Sequence, residues 1–176
     1  SRDRFSARGF AIDNYQIDGI PMSWSSGGDA GETQSNTALY ERVEVVRGAT
    51  GLLTGAGNPS ASINLVRKHA DSKTLTGYVN ASAGRWNTYT ATADVATGLN
   101  RSGSVRGRAV VSYEDGESFR DLAGDETTVF YGVLDADLTD NLLVRVGASY
   151  QDNQPTASTW GGLPTWYSDG SRTDWE

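Results

Sequence analysis

The side chains best equipped for chemistry in this 176-residue chain are aromatic, not nucleophilic. One histidine, His69, and no cysteine exclude a thiolate nucleophile, a disulfide, a thiolate metal site and a paired-histidine metal cluster. No carboxylate pair stands at a spacing that demands acid–base work, and no nucleophile motif is present. The glycine-rich run 48–58 lacks the Gly-Lys-Ser/Thr ending that would supply a phosphate loop with its lysine and magnesium ligand, so it reads as tight turns. An enzyme is therefore not expected. What remains is recognition without bond-making. Asn14 and Tyr15, then Met22 and Trp24, and later Trp160, Trp166 and Tyr167 all lie outside regularly alternating segments. Such side chains hold a bulky organic ligand by its flat apolar surfaces and polar edges. Arg8 and Arg47 are the remaining candidates, either as ligands of an anion or as partners of buried carboxylates.

The elements that must position these residues fall into two textures. From Ser1 to Asp71, short extended pieces alternate with glycine turns; Leu39 to Val46 and Ser62 to Arg67 are the clearest strands. From Thr74 onward, five strands alternate with period two. Leu75, Val79, Val111, Leu134 and Val146 fall on one face and Thr76, Arg108, Asp135 and Arg145 on the other, with the fourth strand showing a mixed second face of Val129, Tyr131, Asp135 and Asp137. Arg106, Arg108 and Arg145 should thus point inward, as contacts between parts of the protein. The strands run about 10 residues, longer than is usual in soluble sheets. Their connections alternate between short and long: a link at 84–88, a tight turn at 100–103, a long loop from Glu114 to Glu126, a tight turn at 139–141 and an open loop from Gln151. Tyr89, Tyr113 and Tyr150 lie together at one end of the apolar face, where the aromatic girdle of a membrane barrel belongs.

A soluble β-sandwich also alternates. Strand length, loop alternation and the tyrosine level favour a membrane barrel, although five strands cannot close one. No window of about 18 apolar residues is present, so no transmembrane helix is expected. A mean hydropathy of −0.48 fits strands in which only every second residue meets lipid. With 22 acidic against 15 basic residues the net charge is −7, which argues against a nucleic-acid partner. Ser1 is preceded by no leader pattern and the polar, aromatic run at 173–176 stops abruptly, so both ends read as cut.

Four segments then resemble one family in order and spacing. They are Ser6-Ala7-Arg8-Gly9-Phe10, Ile17-Asp18-Gly19-Ile20-Pro21, Leu39 to Thr54, and Gly57 to Lys68. Together they are similar to the siderophore branch of the TonB-dependent receptors. The similarity continues at Thr159 to Pro164 and Ser168 to Ser171, where it is nearest to receptors for coprogen or rhodotorulic acid and for pyoverdine. It implies a membrane β fold: the C-terminal part of a plug domain over 1–71, then, over 72–176, the first about five antiparallel strands of a roughly 22-stranded transmembrane β-barrel.

The same resemblance implies a receptor in the cell outer membrane of a Gram-negative bacterium. It would bind a ferric siderophore outside the cell and import it by active transport driven by TonB with its ExbB-ExbD energising complex. The substrate carries its own chelated Fe3+, so no cofactor and no protein metal site are expected, and outer-membrane lipid is the other partner. The TonB-contacting box and the first half of the plug are expected upstream of Ser1. In this family the arginines matching Arg8 and Arg47 pair with barrel-wall glutamates, which would lie beyond Glu176, and in its coprogen-type receptors the tryptophan matching Trp160 faces the siderophore. Coprogen-type receptors carry an arginine in the loop after the Asp-Gly-Ile-Pro segment, whereas Met22 to Asn36 holds neither Arg nor Lys, leaving the siderophore itself open. His69 is expected as a surface residue at the periplasmic rim. Two other readings stand beside this one: a TonB-dependent receptor for haem, cobalamin or a glycan, and a secreted carbohydrate-binding β-protein using its exposed tryptophans.

Overall fold

The computed structural model describes residues 5–23, 36–48, 60–119, 122–156 and 166–172. Strands β1 (Ser6–Ala7) and β2 (Phe10–Ala11) form a minimal hairpin, and β3 (Asn14–Ile17) and β4 (Ile20–Ser23) form a second. Each has a two-residue turn with both φ angles positive: Arg8 at 55° and Gly9 at 81°, Asp18 at 52° and Gly19 at 80°. That is the turn whose twist matches right-handed strands, and it explains why Arg-Gly and Asp-Gly stand where they do. A short 3-10 turn, Thr37–Leu39, is capped by Asn36, whose side chain accepts from the Ala38 amide at 2.8 Å. It leads into β5 (Tyr40–Arg47), and β6 (Ala61–Arg67) then pairs antiparallel with β5 and parallel with β3. The resulting sheet has the order β4-β3-β6-β5, with Ile12, Ala61 and Ile63 as its buried core.

Five long strands follow as an antiparallel meander: β7 (Thr76–Ala83), β8 (Tyr89–Gly98), β9 (Val105–Glu117), β10 (Gly124–Thr139) and β11 (Leu142–Thr156). Their two faces separate as the alternation requires. Val79 is 83% exposed and Val146 66%, whereas the opposite face holds Val110 at 1% and Asp135 at 2%. That opposite face meets the first sheet. Leu39 and Ala70 pack there against Val110, Val129, Tyr131 and Val133, which accounts for the mixed character of the fourth strand: its inward face is apolar where Leu39 docks and charged below it.

One expectation needs correction. The anticipated loop from Glu114 to Glu126 is mostly paired strand, with Thr127 opposite Glu114 and Gly124 opposite Glu117, so the connection shrinks to 118–123. β11 likewise continues beyond Tyr150 to Thr156. Above the tyrosine level both faces are polar, so the hydrophobic period vanishes while the backbone ladder continues.

Candidate functional site

The β3–β4 hairpin gathers three of the predicted ligand-binding residues. Asn14 lies opposite Ser23 and Tyr15 opposite Met22, at the open end of the hairpin away from the Asp18-Gly19 turn. Tyr15 is half-buried against the core of the first sheet, while Met22 is exposed. Burial, followed by the negative charge of Asp13, pushes the Tyr15 phenol above its ordinary value, so it stays a neutral hydroxyl at physiological pH. Trp166 and Tyr167 sit elsewhere, exposed on a small turned loop. Trp166 bridges Arg172, the Tyr167 amide donates to the Ser171 carbonyl at 2.8 Å, and Asp169 accepts from the Ser171 hydroxyl and amide. Trp24 and Trp160 lie outside the described residues.

The hairpin is tied to the sheet by Asp18, which accepts from the Arg67 amide at 2.9 Å and its Nε at 2.7 Å. Burial raises the Asp18 carboxyl, but the Arg67 hydrogen bonds and charge outweigh it and hold the group below its ordinary value. On the other side of the sheet, Asn64 donates to Glu44 at 2.8 Å, and its own carbonyl oxygen accepts from the Gly19 amide at 2.9 Å.

Arg8 lies close to the backbone that follows Arg47. The Arg8 guanidinium lies 3.9 Å from where a Cβ on Gly48 would stand, so the β1–β2 turn meets the end of β5. Both arginines are exposed, and neither forms an ion pair among the described residues.

Among the described residues, bonds concentrate at the junction between the two sheets, at Lys68-His69-Ala70. Three successive carbonyls there each receive a side-chain donor from β9 or β10. The Tyr131 hydroxyl donates to Lys68 at 2.7 Å, Arg108 to His69 at 3.2 Å and Arg106 to Ala70 at 2.9 Å. The Lys68 ammonium is 2.8 Å from Asp94, which also takes both forks of Arg108 at 2.9 and 2.8 Å. Arg108 reaches Glu41 at 3.3 Å. Arg106 forks onto Asp137, and Arg145 forks onto Asp135 at 2.7 and 2.6 Å. Such forked pairs fix orientation as well as charge. The inward arginines were legible as contacts, but Lys68, Asp94 and Tyr131 were missed. Their only signal was a cation just past a strand facing an isolated aspartate among Thr and Ala. His69 is partly exposed, and its Nε2 lies 3.2 Å from the Arg145 guanidinium.

The comparisons with known proteins agree with this geometry. Residues 1–62 match the TonB-dependent Receptor Plug Domain model. Over nearly its whole length the chain is also 48% identical to a relative, the ferripyoverdine receptor of Pseudomonas aeruginosa, across 175 residues, which is 98% of this chain and 21% of that protein. The chain belongs to the TonB-dependent receptors. Its first sheet is part of a plug and its second is the start of a receptor β-barrel. The ferric-pyoverdine BN7/BN8 receptor of Pseudomonas putida is 38% identical over 172 residues, again 98% of this chain and 21% of the relative. Among solved structures, the pyoverdine outer membrane receptor FpvA from P. aeruginosa, bound to pyoverdine, superposes with a TM-score of 0.84 at 48% identity, covering 97% of this chain and 25% of that one. The chain thus spans about a fifth of the length of these relatives.

Proposed function

We propose that the receptor containing this chain binds a ferric siderophore of the pyoverdine type outside the cell and imports it across the outer membrane of a Gram-negative bacterium. The observation that carries this reading is the 48% identity to a ferripyoverdine receptor over 98% of the chain, across both plug and barrel portions. Residues 1–71 belong to the plug and 72–176 to the barrel, a division supported by the first sheet ending at Arg67 and β7 beginning at Thr76. Lipid covers the face of Leu75, Val79, Val111, Leu134 and Val146. TonB with ExbB-ExbD supplies the energy. Iron enters already chelated, so the protein makes and breaks no bonds and needs no cofactor of its own.

Asn14, Tyr15, Met22 and Trp24 form the plug side of the ligand site, and Trp160, Trp166 and Tyr167 the barrel side. Arg8, whose guanidinium approaches Gly48, and Arg47 pair with wall glutamates and retain the plug. The test is growth. The full-length receptor, expressed in a siderophore-deficient host under iron starvation, should restore growth on ferric pyoverdines. Growth on no siderophore of a broad panel, with uptake of haem, cobalamin or a glycan instead, would overturn the reading.

A further inference from the structure

The turn between β7 and β8 carries an arrangement that neither the plug contacts nor the proposed ligand residues use. Arg85, Trp86 and Asn87 form its tip, and Trp86 and Asn87 have φ angles of 55° and 49°. Asparagine tolerates that left-handed backbone, but a bulky aromatic rarely adopts it, and retained strain of this kind points to a function. The tip is folded onto the end of β9. The Asn87 side-chain amide donates to the Glu117 carboxylate at 2.9 Å, and the Glu117 backbone amide donates to the Trp86 carbonyl at 2.9 Å. There the Trp86 ring meets Phe119, with centroids 6.4 Å apart and planes inclined by 59°, and the Arg85 guanidinium lies 5.3 Å from the Trp86 ring centroid. All three side chains are exposed, Phe119 by 77%, and Leu122 in the same 118–123 connection is 88% exposed. Arg85 forms no ion pair among the described residues.

We propose that Arg85, Trp86 and Phe119 bind a phosphorylated, acylated sugar lipid of the outer leaflet. Its phosphate meets Arg85, its sugar lies along the exposed Trp86 ring, and an acyl chain covers Phe119 and Leu122. A free anion would leave the three apolar side chains uncovered, and an uncharged lipid would leave Arg85 without a partner; one amphiphile satisfies both. The surrounding charge confines the phosphate to that end. Tyr89 stands opposite Asp115 and Asp115 opposite Glu126, so beside the turn the same face is acidic and repels an anion. Further barrel strands join at the β7 and β11 edges, whereas this cluster leans on β9, inside the sheet. The site rests on the receptor reading for one thing only, that the 84–88 turn lies on the outer side of the membrane.

Full-length receptor in detergent micelles, titrated with diphosphoryl lipid A and read by native mass spectrometry, tests it. Trp86→Gly relieves the left-handed strain, so this receptor should fold at least as well as the unaltered one while losing about tenfold or more in lipid A affinity. Arg85→Ala should lose a similar factor, and unaltered receptor should lose it too when the probe is dephosphorylated lipid A. Arg101→Ala, in the turn at the opposite end of β8, should bind lipid A as the unaltered receptor does. Siderophore affinity should be the same in all three variants, so a failure here leaves the transport reading standing, and a receptor for another ligand would still hold the lipid. Unchanged lipid A affinity in Trp86→Gly overturns the site. Equal binding of phosphatidylglycerol also overturns it, because any anionic lipid would then serve, and so does displacement of lipid A by inorganic phosphate, which would leave a free-anion site.

Discussion

Replacing Leu39 by alanine should loosen the plug from the wall more than any other single apolar truncation in the described part of the chain. Leu39 is 5% exposed, and it belongs to the plug while Val110, Val129, Tyr131 and Val133 around it belong to the wall. Truncation removes about three buried carbons, at about 0.8 kcal/mol each, and leaves a cavity that a sheet fixed by its own ladder cannot close. The expected cost is about 3 kcal/mol. The assay is a urea titration of full-length receptor in micelles, with plug release read by labelling of a cysteine substituted for Ser62, buried in β6. At an ordinary urea dependence of about 1–3 kcal/mol/M, the release midpoint should fall by about 1–3 M. Leu39→Met, which conserves volume, should recover most of that loss. A midpoint within about 0.3 M of the parent protein for Leu39→Ala, a small fraction of the shift expected from that slope, would mean that Leu39 does not join plug to wall.

Four further outcomes are expected. Val79→Arg or Leu134→Arg should cost about 2–4 kcal/mol of folding into lipid vesicles, whereas Thr92→Arg on the opposite face is tolerated; equal losses would reverse the facing of the sheet. Arg8→Ala and Arg47→Ala should weaken plug retention by about 3–5 kcal/mol with siderophore affinity little changed, and the opposite split in a binding titration would make them ligands. Asp18 has a folded value below that of the unfolded chain, so its contribution is complete above about pH 4 and is lost as pH falls further through the folded value. Asp18→Asn should therefore lower amide protection of β3 and β4 at pH 7 and flatten its fall below about pH 4; an unchanged acid profile would show that the Arg67 contact contributes nothing. Trp160→Ala should leave insertion intact but reduce siderophore affinity by about tenfold or more, a step of about 1.4 kcal/mol, and unchanged affinity would assign this tryptophan to loop shape alone.

The five long strands were legible because one face must be apolar wherever lipid covers it, and Val79, Val111, Leu134 and Val146 keep that period without a break. The same logic failed above Tyr113. Glu114 and Thr127 pair in the ladder as firmly as Val110 and Tyr131 do, but neither of their faces meets lipid or core, and alternation between two polar faces leaves no trace in composition. In the plug the Asp18-Gly19 hairpin went unread although Asp-Gly is a favoured hairpin turn, and the parallel pairing of β3 with β6 joins residues more than 40 positions apart and had no local signature. The proposed ligand residues were legible only as a set of side-chain types. Asn14, Tyr15 and Met22 share a hairpin, but Trp166 and Tyr167 belong to a distant loop, and no spacing rule connects the two.

The junction at Lys68-His69-Ala70 shows how polar contacts join apolar packing in the plug's attachment: Lys68 reaches Asp94, Glu41 reaches Arg108, and three wall side chains donate to consecutive plug carbonyls. A barrel wall alternates, so the face turned away from lipid is polar by default, and a plug inside it must find partners among residues such as Arg106, Asp94 and Arg145. Buried charges of this kind are costly unless every one is matched. Here each arginine fork has its own carboxylate, Asp137, Asp94 or Asp135, and the remaining donors fall on consecutive backbone carbonyls of the plug. Among the described residues no buried side-chain polar atom is left without a partner. These matched donors hold the Lys68-His69-Ala70 segment against the wall. Leu39 adds most of the apolar attraction, and the arginines set where it docks.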